Sequence, residues 1–143
     1  MIAVAIDGPA GAGKSSISRK LAEKLGYIYV DTGALYRTIG LKFLNLGFDT
    51  GLKCNISAVL NEITVEIKFI NGEQRVFLDG NDVSSEIRTP AASMMASAVS
   101  AKPEVRAFLL DMQRKLAREN NVIMDGRDIG TVVLPNADRK SVV

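Results

Sequence analysis

At 143 residues, 47% of them hydrophobic and 24% charged, the chain has room for one α/β domain with a real core, and nothing in its composition suggests disorder. A formal net charge of +2 and a pI of about 8.8 leave the surface near balance, which argues against a partner that is a nucleic-acid polymer. Histidine is absent and Cys54 is the sole cysteine, so neither a Cys/His zinc site nor an intramolecular disulfide can form, and a reducing cytoplasm is favoured.

The chain opens on an apolar run, Ile2 to Ile6, with no basic leader, and no later run approaches the ~20 residues needed to span a bilayer. A soluble, untargeted protein with no membrane partner is expected. The opening run reads as a strand. It leads into Gly8-Pro9-Ala10-Gly11-Ala12-Gly13-Lys14-Ser15, which has the spacing G-x-x-x-x-G-K-[ST] of a phosphate-cradling loop. Ile17, Leu21 and Leu25 then recur at helical spacing and predict a helix with these three on its buried side. Strand, loop and helix are the context the motif requires. Glycines let the backbone curl round an anion with its N–H groups inward. Lys14 reaches outer phosphates, Ser15 is a ligand for Mg²⁺, and the helix presents its positive end.

Gly26 ends that helix, and Tyr27-Ile28-Tyr29-Val30 reads as a short buried strand running into Asp31-Thr32-Gly33. Thr32 is expected to N-cap a helix over 34–46, with Leu35, Ile39, Phe43 and Leu46 on one side and Gly47 closing it. The pattern then changes, because Ile63, Val65, Ile67 and Phe69 fall on every second residue. Asn71-Gly72 is a hairpin signal, Arg75 to Leu78 the returning strand, and Asp79 to Asp82 a further turn. A small antiparallel sheet is therefore inserted between parallel units.

Pro90 and Pro103 each suit the first turn of a helix. The second of these helices carries Val105, Phe108, Leu109, Met112 and Leu116 as an apolar stripe, and Asn120-Asn121 stops it. Val122-Ile123-Met124 is then a buried strand that delivers Asp125-Gly126-Arg127-Asp128 to its carboxyl end, where open parallel sheets place their ligands.

Stability alone gives little reason for three arginines. Arg106 lies in the first turn of its helix, where a cation opposes the macrodipole at about 0.3–1 kcal/mol. Arg37 lies near the start of the second helix, and Arg127 follows a glycine at a strand end. A bound phosphate would offset the charge and suits the guanidinium fork, so a second anion site is expected beside the loop. The lack of histidine agrees. A phosphate monoester, with a second pKa near 6, is already largely ionised at pH 7 and asks for positioning rather than a base. Two readings of Asp125 and Asp128 stay open: contacts to Mg²⁺, its waters or the acceptor, or orientation of Arg127 and capping of the next turn. Tyr36 and Cys54 read as packing residues.

Ile6 to Ser15, Asp31-Thr32-Gly33-Ala34-Leu35-Tyr36-Arg37, Val83-Ser84-Ser85-Glu86-Ile87-Arg88 and Asp125-Gly126-Arg127-Asp128-Ile129-Gly130-Thr131 together resemble the bacterial cytidylate kinase family, over essentially the whole chain. The resemblance implies a P-loop nucleoside monophosphate kinase fold, α/β, with a parallel core sheet and an antiparallel insert at about 61–88. It implies Mg²⁺-dependent transfer of the γ-phosphate of ATP to CMP or dCMP. It places ATP on Gly8, Pro9, Ala10, Gly11, Ala12, Gly13, Lys14, Ser15 and Ser16, with Mg²⁺ at Ser15. CMP would face Thr32, Arg37, Ser97, Arg106, Gly126, Arg127 and Asp128, with Lys14 and Arg127 serving the chemistry. The family continues after Ala137-Asp138 with an apolar strand, an arginine-bearing lid and an adenine loop. Here Arg139-Lys140-Ser141 interrupt what should be a buried apolar run. The expectation is a single kinase domain over 1–143 whose C-terminal part is missing, which binds nucleotide with little turnover. The family is expected to be monomeric, with the unfinished sheet edge a place for association here. The alternatives are a P-loop kinase of a small hydroxylated metabolite and a nucleotide-binding fragment without catalysis.

Overall fold

Apolar strands with cover on both faces dictate the core of the fold. The structure, a computed structural model, describes residues 1–9 and 11–143 and falls into two compact units, residues 1–32 with 110–143, and residues 33–109. Ala10 lies outside the described residues.

In the first unit β1 (Ala3–Asp7), β2 (Ile28–Asp31), β6 (Val122–Gly126) and β7 (Arg139–Val142) form a parallel sheet in the order β2-β6-β1-β7. All five residues of β6 are buried, as a central parallel strand requires. β2 is outermost and only half-buried apart from Val30. α1 (Lys14–Leu25) covers one face, where Val4, Ile6, Ala22 and Ile123 cluster with Leu21, Tyr27 and Tyr29 against them.

One expectation is corrected here. Ile17 and Leu25 are each 48% exposed, and Ser18 and Ala22 are the buried residues of α1. The four-residue spacing is right but the phase is off by one residue, because the helix approaches the sheet on its small side chains. Arg139-Lys140-Ser141, expected to interrupt a buried apolar run, form an exposed outer strand. They pair with Val4, Ala5 and Ile6 in parallel register, with both faces of β7 exposed. Strand pairing uses backbone groups, and cations on an outer strand are tolerated where they would not be at its centre.

The second unit is built from α2 (Thr32–Asn45), α3 (Ile56–Leu60), the antiparallel sheet β3 (Val65–Ile70), β4 (Glu73–Leu78) and β5 (Asn81–Asp82), a 3₁₀ turn at Glu86–Arg88, α4 (Pro90–Ser100) and the start of α5 (Pro103–Glu119). Both hairpins use two-residue turns with positive φ at each position, 53° and 79° at Asn71 and Gly72, 50° and 85° at Asp79 and Gly80. Those values fit type I′ turns, whose twist matches the flanking strands. Thr89 caps α4 by accepting from the Ala92 N–H at 3.2 Å, with Pro90 in the first turn. Leu35, Ile39 and Phe43 of α2 are buried as expected, whereas Leu46 lies past the helix and is 50% exposed. The stripe on α5 is corrected in one place: Val105 and Leu109 continue into a buried Gln113, not into an unbroken apolar face.

Gly40 marks where α2 meets α4. A Cβ there would come within 2.8 Å of the Ala96 nitrogen and 3.0 Å of the Met95 carbonyl carbon, both backbone atoms that cannot rotate away. Gly40→Ala is therefore expected to destabilise the chain by about 1–3 kcal/mol through overpacking. Urea denaturation monitored by circular dichroism checks it; an unchanged midpoint would mean the two helices are not held backbone to backbone.

Candidate active site

β1 ends at Asp7 and the loop begins at Gly8. Gly11 and Gly13 take φ of 81° and 83°, left-handed values that few side chains tolerate, and Gly13 passes directly into α1. No side chain caps α1 and its first turn holds no acidic residue. Its positive end is thus open to an anion from outside the chain. Lys14 is half-buried and its ammonium leans over its own loop, 3.4 Å from the Pro9 carbonyl; Ser15 and Ser16 are exposed.

The end of β6 lies beside this loop. Asp7 is paired with Gly126 in the sheet, and the Gly8 N–H donates to the Gly126 carbonyl at 3.1 Å. Thr32 is the first residue of α2, not a cap before it, and its hydroxyl donates to the Asp125 carbonyl at 2.7 Å. That contact leaves no room at Gly126, where a Cβ would sit 2.6 Å from Thr32 Oγ1 and 2.9 Å from Ile129 Cδ1. Arg127 is exposed and Asp128 half-buried. The described part of the loop, Thr32, Gly126, Arg127 and Asp128 therefore gather at the carboxyl end of one sheet.

Below them is a carboxylate whose environment was not legible beforehand. Asp125 is 2% exposed and accepts from the Tyr29 hydroxyl at 2.8 Å. Burial pushes its carboxyl up to about 6, the Tyr29 hydrogen bond opposes this, Asp31 adds to it and Lys14 draws it back. Tyr29 is itself raised, first by burial and then by Asp31 and Asp125, and the Arg19 guanidinium stacks over its ring at 5.7 Å.

Two more residues escaped the sequence reading. Asp7, 8% exposed, accepts from the N–H groups of Ile129 at 2.7 Å and Gly130 at 2.8 Å. Arg114 of α5 donates to the Val133 and Val132 carbonyls at 3.0 and 3.1 Å. A carboxylate closing an apolar strand, with a buried position ahead of it, was the available signal for Asp7: such a group demands donors. Nothing in the sequence singles out Arg114.

The remaining expected residues belong to the second unit. Arg37 lies on α2, half-buried and engaged in interactions of its own. Arg106 and Ser97 share the corner between α4 and α5. Arg106 Nη1 donates to the Ser100 carbonyl at 2.9 Å, and the Ser100 hydroxyl donates to the Ser97 carbonyl at 2.9 Å. Arg106 thus has a stabilising partner: the C-terminal carbonyls of α4 offset its unfavourable place at the start of α5. A cleft of about 470 Å³ in this unit, lined by Lys42, Asp79, Asp82 and Glu86 among others, holds none of the expected site residues. Asp79 is already paired with Lys42 at 2.8 Å and Asp82 with Arg75 at 2.9 Å.

A glycine-bent loop between a parallel strand and an uncapped helix, beside a second strand end bearing Arg127, is the arrangement of a phosphate-binding P-loop protein. The protein-family model for cytidylate kinase matches residues 4–143, and the chain belongs to that family. Among curated relatives, the cytidylate kinase of Caldicellulosiruptor bescii is 55% identical over 139 residues, 97% of this chain and 62% of its own length. That of Symbiobacterium thermophilum is 49% identical over 140 residues, covering 97% and 62%. That of Geobacter sulfurreducens is 48% identical over 137 residues, covering 96% and 59%. The chain spans about three-fifths of the length of the curated relatives it matches.

Asp125 makes stability depend on pH in a defined direction. Its folded-state value of about 6 lies above the ordinary 3.8, so the native state holds the proton more tightly. The resulting stabilisation is complete below about pH 3.8 and is lost as pH rises through 6, amounting to about 3 kcal/mol at most. Asp125→Asn removes the titration. The stability difference between variant and parent is therefore expected to shift in the variant's favour between pH 4 and 7, read by urea denaturation across that range. A difference that stays constant with pH would overturn the assignment.

Proposed function

We propose that the protein transfers the γ-phosphoryl group of ATP to CMP or dCMP. A phosphate oxygen of the monophosphate forms the new bond to the γ-phosphorus, the bond to the β,γ-bridging oxygen breaks, and ADP and CDP (or dCDP) result. The hydrogen bond from Gly8 to the Gly126 carbonyl carries this reading, because it ties a donor loop to an arginine-bearing strand end at the carboxyl end of one sheet.

Gly8, Pro9, Ala10, Gly11, Ala12 and Gly13 wrap the ATP phosphates; Gly11 and Gly13 among them offer backbone N–H groups, since proline has none and the Gly8 N–H is taken by Gly126, and Ser15, Ser16 and the positive end of α1 assist. Lys14 neutralises the outer phosphates. Arg127 grips the phosphate of CMP, with Thr32, Gly126 and Asp128 beside it in the first unit; Arg37, Arg106 and Ser97 of the second unit are the other residues proposed to face CMP. The antiparallel insert at about 61–88 belongs to the monophosphate side. With an ionised acceptor the residues have to position and neutralise, not deprotonate, which suits a chain without histidine.

Mg²⁺ fits the donors present. The Ser15 hydroxyl and the Asp125 carboxylate are hard oxygen ligands, and among the described residues no cluster of three or more His, Cys, Asp or Glu could hold a metal unaided. That is the donor set of a cation that arrives with phosphates and keeps several waters. When bound, it would supply positive charge to offset the negative charge of the phosphates.

The cytoplasm is the proposed compartment. Among the described residues no helix is long and apolar enough to cross a membrane. A second reading, a kinase of a small hydroxylated metabolite, draws on Asp125, whose carboxyl titrates near the range of a general base. Product analysis with CMP against sugars and hydroxy acids separates the two.

Isothermal titration of the 143-residue polypeptide with ATP, CMP, UMP and AMP tests the proposal. Specific heat is expected for ATP and CMP, with Arg127→Ala weakening CMP at least tenfold and Lys14→Ala weakening ATP. CMP-dependent ADP release by this 143-residue polypeptide is expected to be slight, because it spans about three-fifths of the length of its relatives and phosphoryl transfer depends on a full set of neutralising charges, a single arginine being worth about 10³- to 10⁵-fold. Rapid ADP release would refute that last point, and equal heats for CMP and AMP would refute the substrate.

A further inference from the structure

The turn that follows Arg127 and Asp128 is held at both ends by charged side chains from elsewhere in the first unit. Residues Ile129–Val133 form a single π-helical turn in which the Asp128 carbonyl accepts from Val132 at 2.9 Å and from Val133 at 3.2 Å. At its start, each oxygen of the Asp7 carboxylate takes one backbone N–H, from Ile129 and Gly130. At its end, the Arg114 guanidinium gives Nε–H to one carbonyl and Nη2–H to the next. An anion therefore sits at the N–H end and a cation at the carbonyl end, the polarity that the peptide dipoles favour. Both contacts are two-pronged, which fixes orientation as well as distance.

The position of the clamp gives it a role beyond stability. Asp7 is the last residue of β1 and adjoins Gly8, so the side chain that fixes the turn grows from the strand that aims the phosphate loop. Asp128 supplies the carbonyl that opens the turn, and Arg127 precedes it as an exposed side chain with its backbone fixed on either side by Gly126 and by the turn. Gly130 leaves the carboxylate room: a Cβ there would stand 3.3 Å from Asp7 Oδ2.

We propose that Asp7 and Arg114 are positioning residues that clamp the Ile129–Val133 turn between them and thereby aim Arg127 and Asp128 at the phosphate of the acceptor nucleotide. This rests on the acceptor site proposed above. Loosening the clamp acts on acceptor affinity and leaves the donor loop's own grip on ATP in place.

The test is calorimetric titration of the 143-residue chain with CMP and, separately, ATP, using Arg114→Met, Arg114→Lys, Asp7→Asn and Arg127→Ala, each first checked for folding by circular dichroism. Arg114→Met is expected to weaken CMP about tenfold and ATP less than threefold. Arg114→Lys, a point charge that cannot span two carbonyls, should recover part of the loss. If Arg114→Met does not fold, Asp7→Asn, which keeps one acceptor oxygen, is read for the same CMP-to-ATP ratio. A folded clamp variant with lower melting temperature but parental CMP affinity overturns the inference, as does a parallel loss of both nucleotides. Arg127→Ala separates the two levels: parental CMP affinity there overturns the acceptor site itself, whereas loss there with parental affinity in the clamp variants overturns the clamp alone.

Discussion

The in-register pairing of β1 with β6 is the constraint on which the site depends. It sets Asp7 opposite Gly126, so that two loops leave the sheet at the same level and the first N–H of one meets the last carbonyl of the other. A slip of one residue would turn every side chain of a strand to the opposite face. It would bring Val4 and Ile6 away from Ala22 and Ile123, and it would carry Asp7 away from the two N–H groups it receives. Packing and site geometry therefore enforce the same register.

The chemistry around that edge is divided by depth. Near the mouth, the open end of α1, Ser15, Ser16 and Arg127 are exposed and can meet phosphates. Below, Asp125 is buried against Tyr29 and close enough to Lys14 to feel its charge. The raised proton affinity of Asp125 reports that Lys14 and the Tyr29 hydroxyl do not fully compensate its desolvation. Thr32 joins the layers, since the hydroxyl that binds the Asp125 carbonyl also enforces glycine at the next position.

Much of this was readable in the sequence, and the part that was not has identifiable causes. Local chemistry carried the loop glycines, the two I′ turns, the proline-led helices and the strand ending in Asp125, because each depends on a few adjacent residues. The buried phase of α1 was misread because Ile17, Leu21 and Leu25 and the true inner pair Ser18 and Ala22 share one period, and hydrophobicity favours the wrong one. The exposure of β7 follows from Arg139-Lys140-Ser141, whereas its pairing with β1 was not legible, because backbone groups decide it. Asp7, Tyr29 and Arg114 act across about twenty to more than a hundred residues of sequence, and single-chain patterns do not encode such partners.

The arginines show how a structure separates residues that a sequence treats alike. Arg106, Arg114 and Arg127 were or could have been read as cations in search of an anion. Arg114 uses two of its donors on consecutive carbonyls and Arg106 one on the end of α4, and in each case the acceptor is a peptide group whose dipole needs a cation there. Neither requires a ligand to justify its place. Arg127 stands at the end of a wholly buried strand, exposed, next to a residue whose backbone is fixed by the following turn. Holding a flexible, charged side chain on so rigid a mount lowers the conformational freedom lost when an anion binds, which is the physical meaning of preorganisation and the reason to assign the acceptor phosphate to this arginine first.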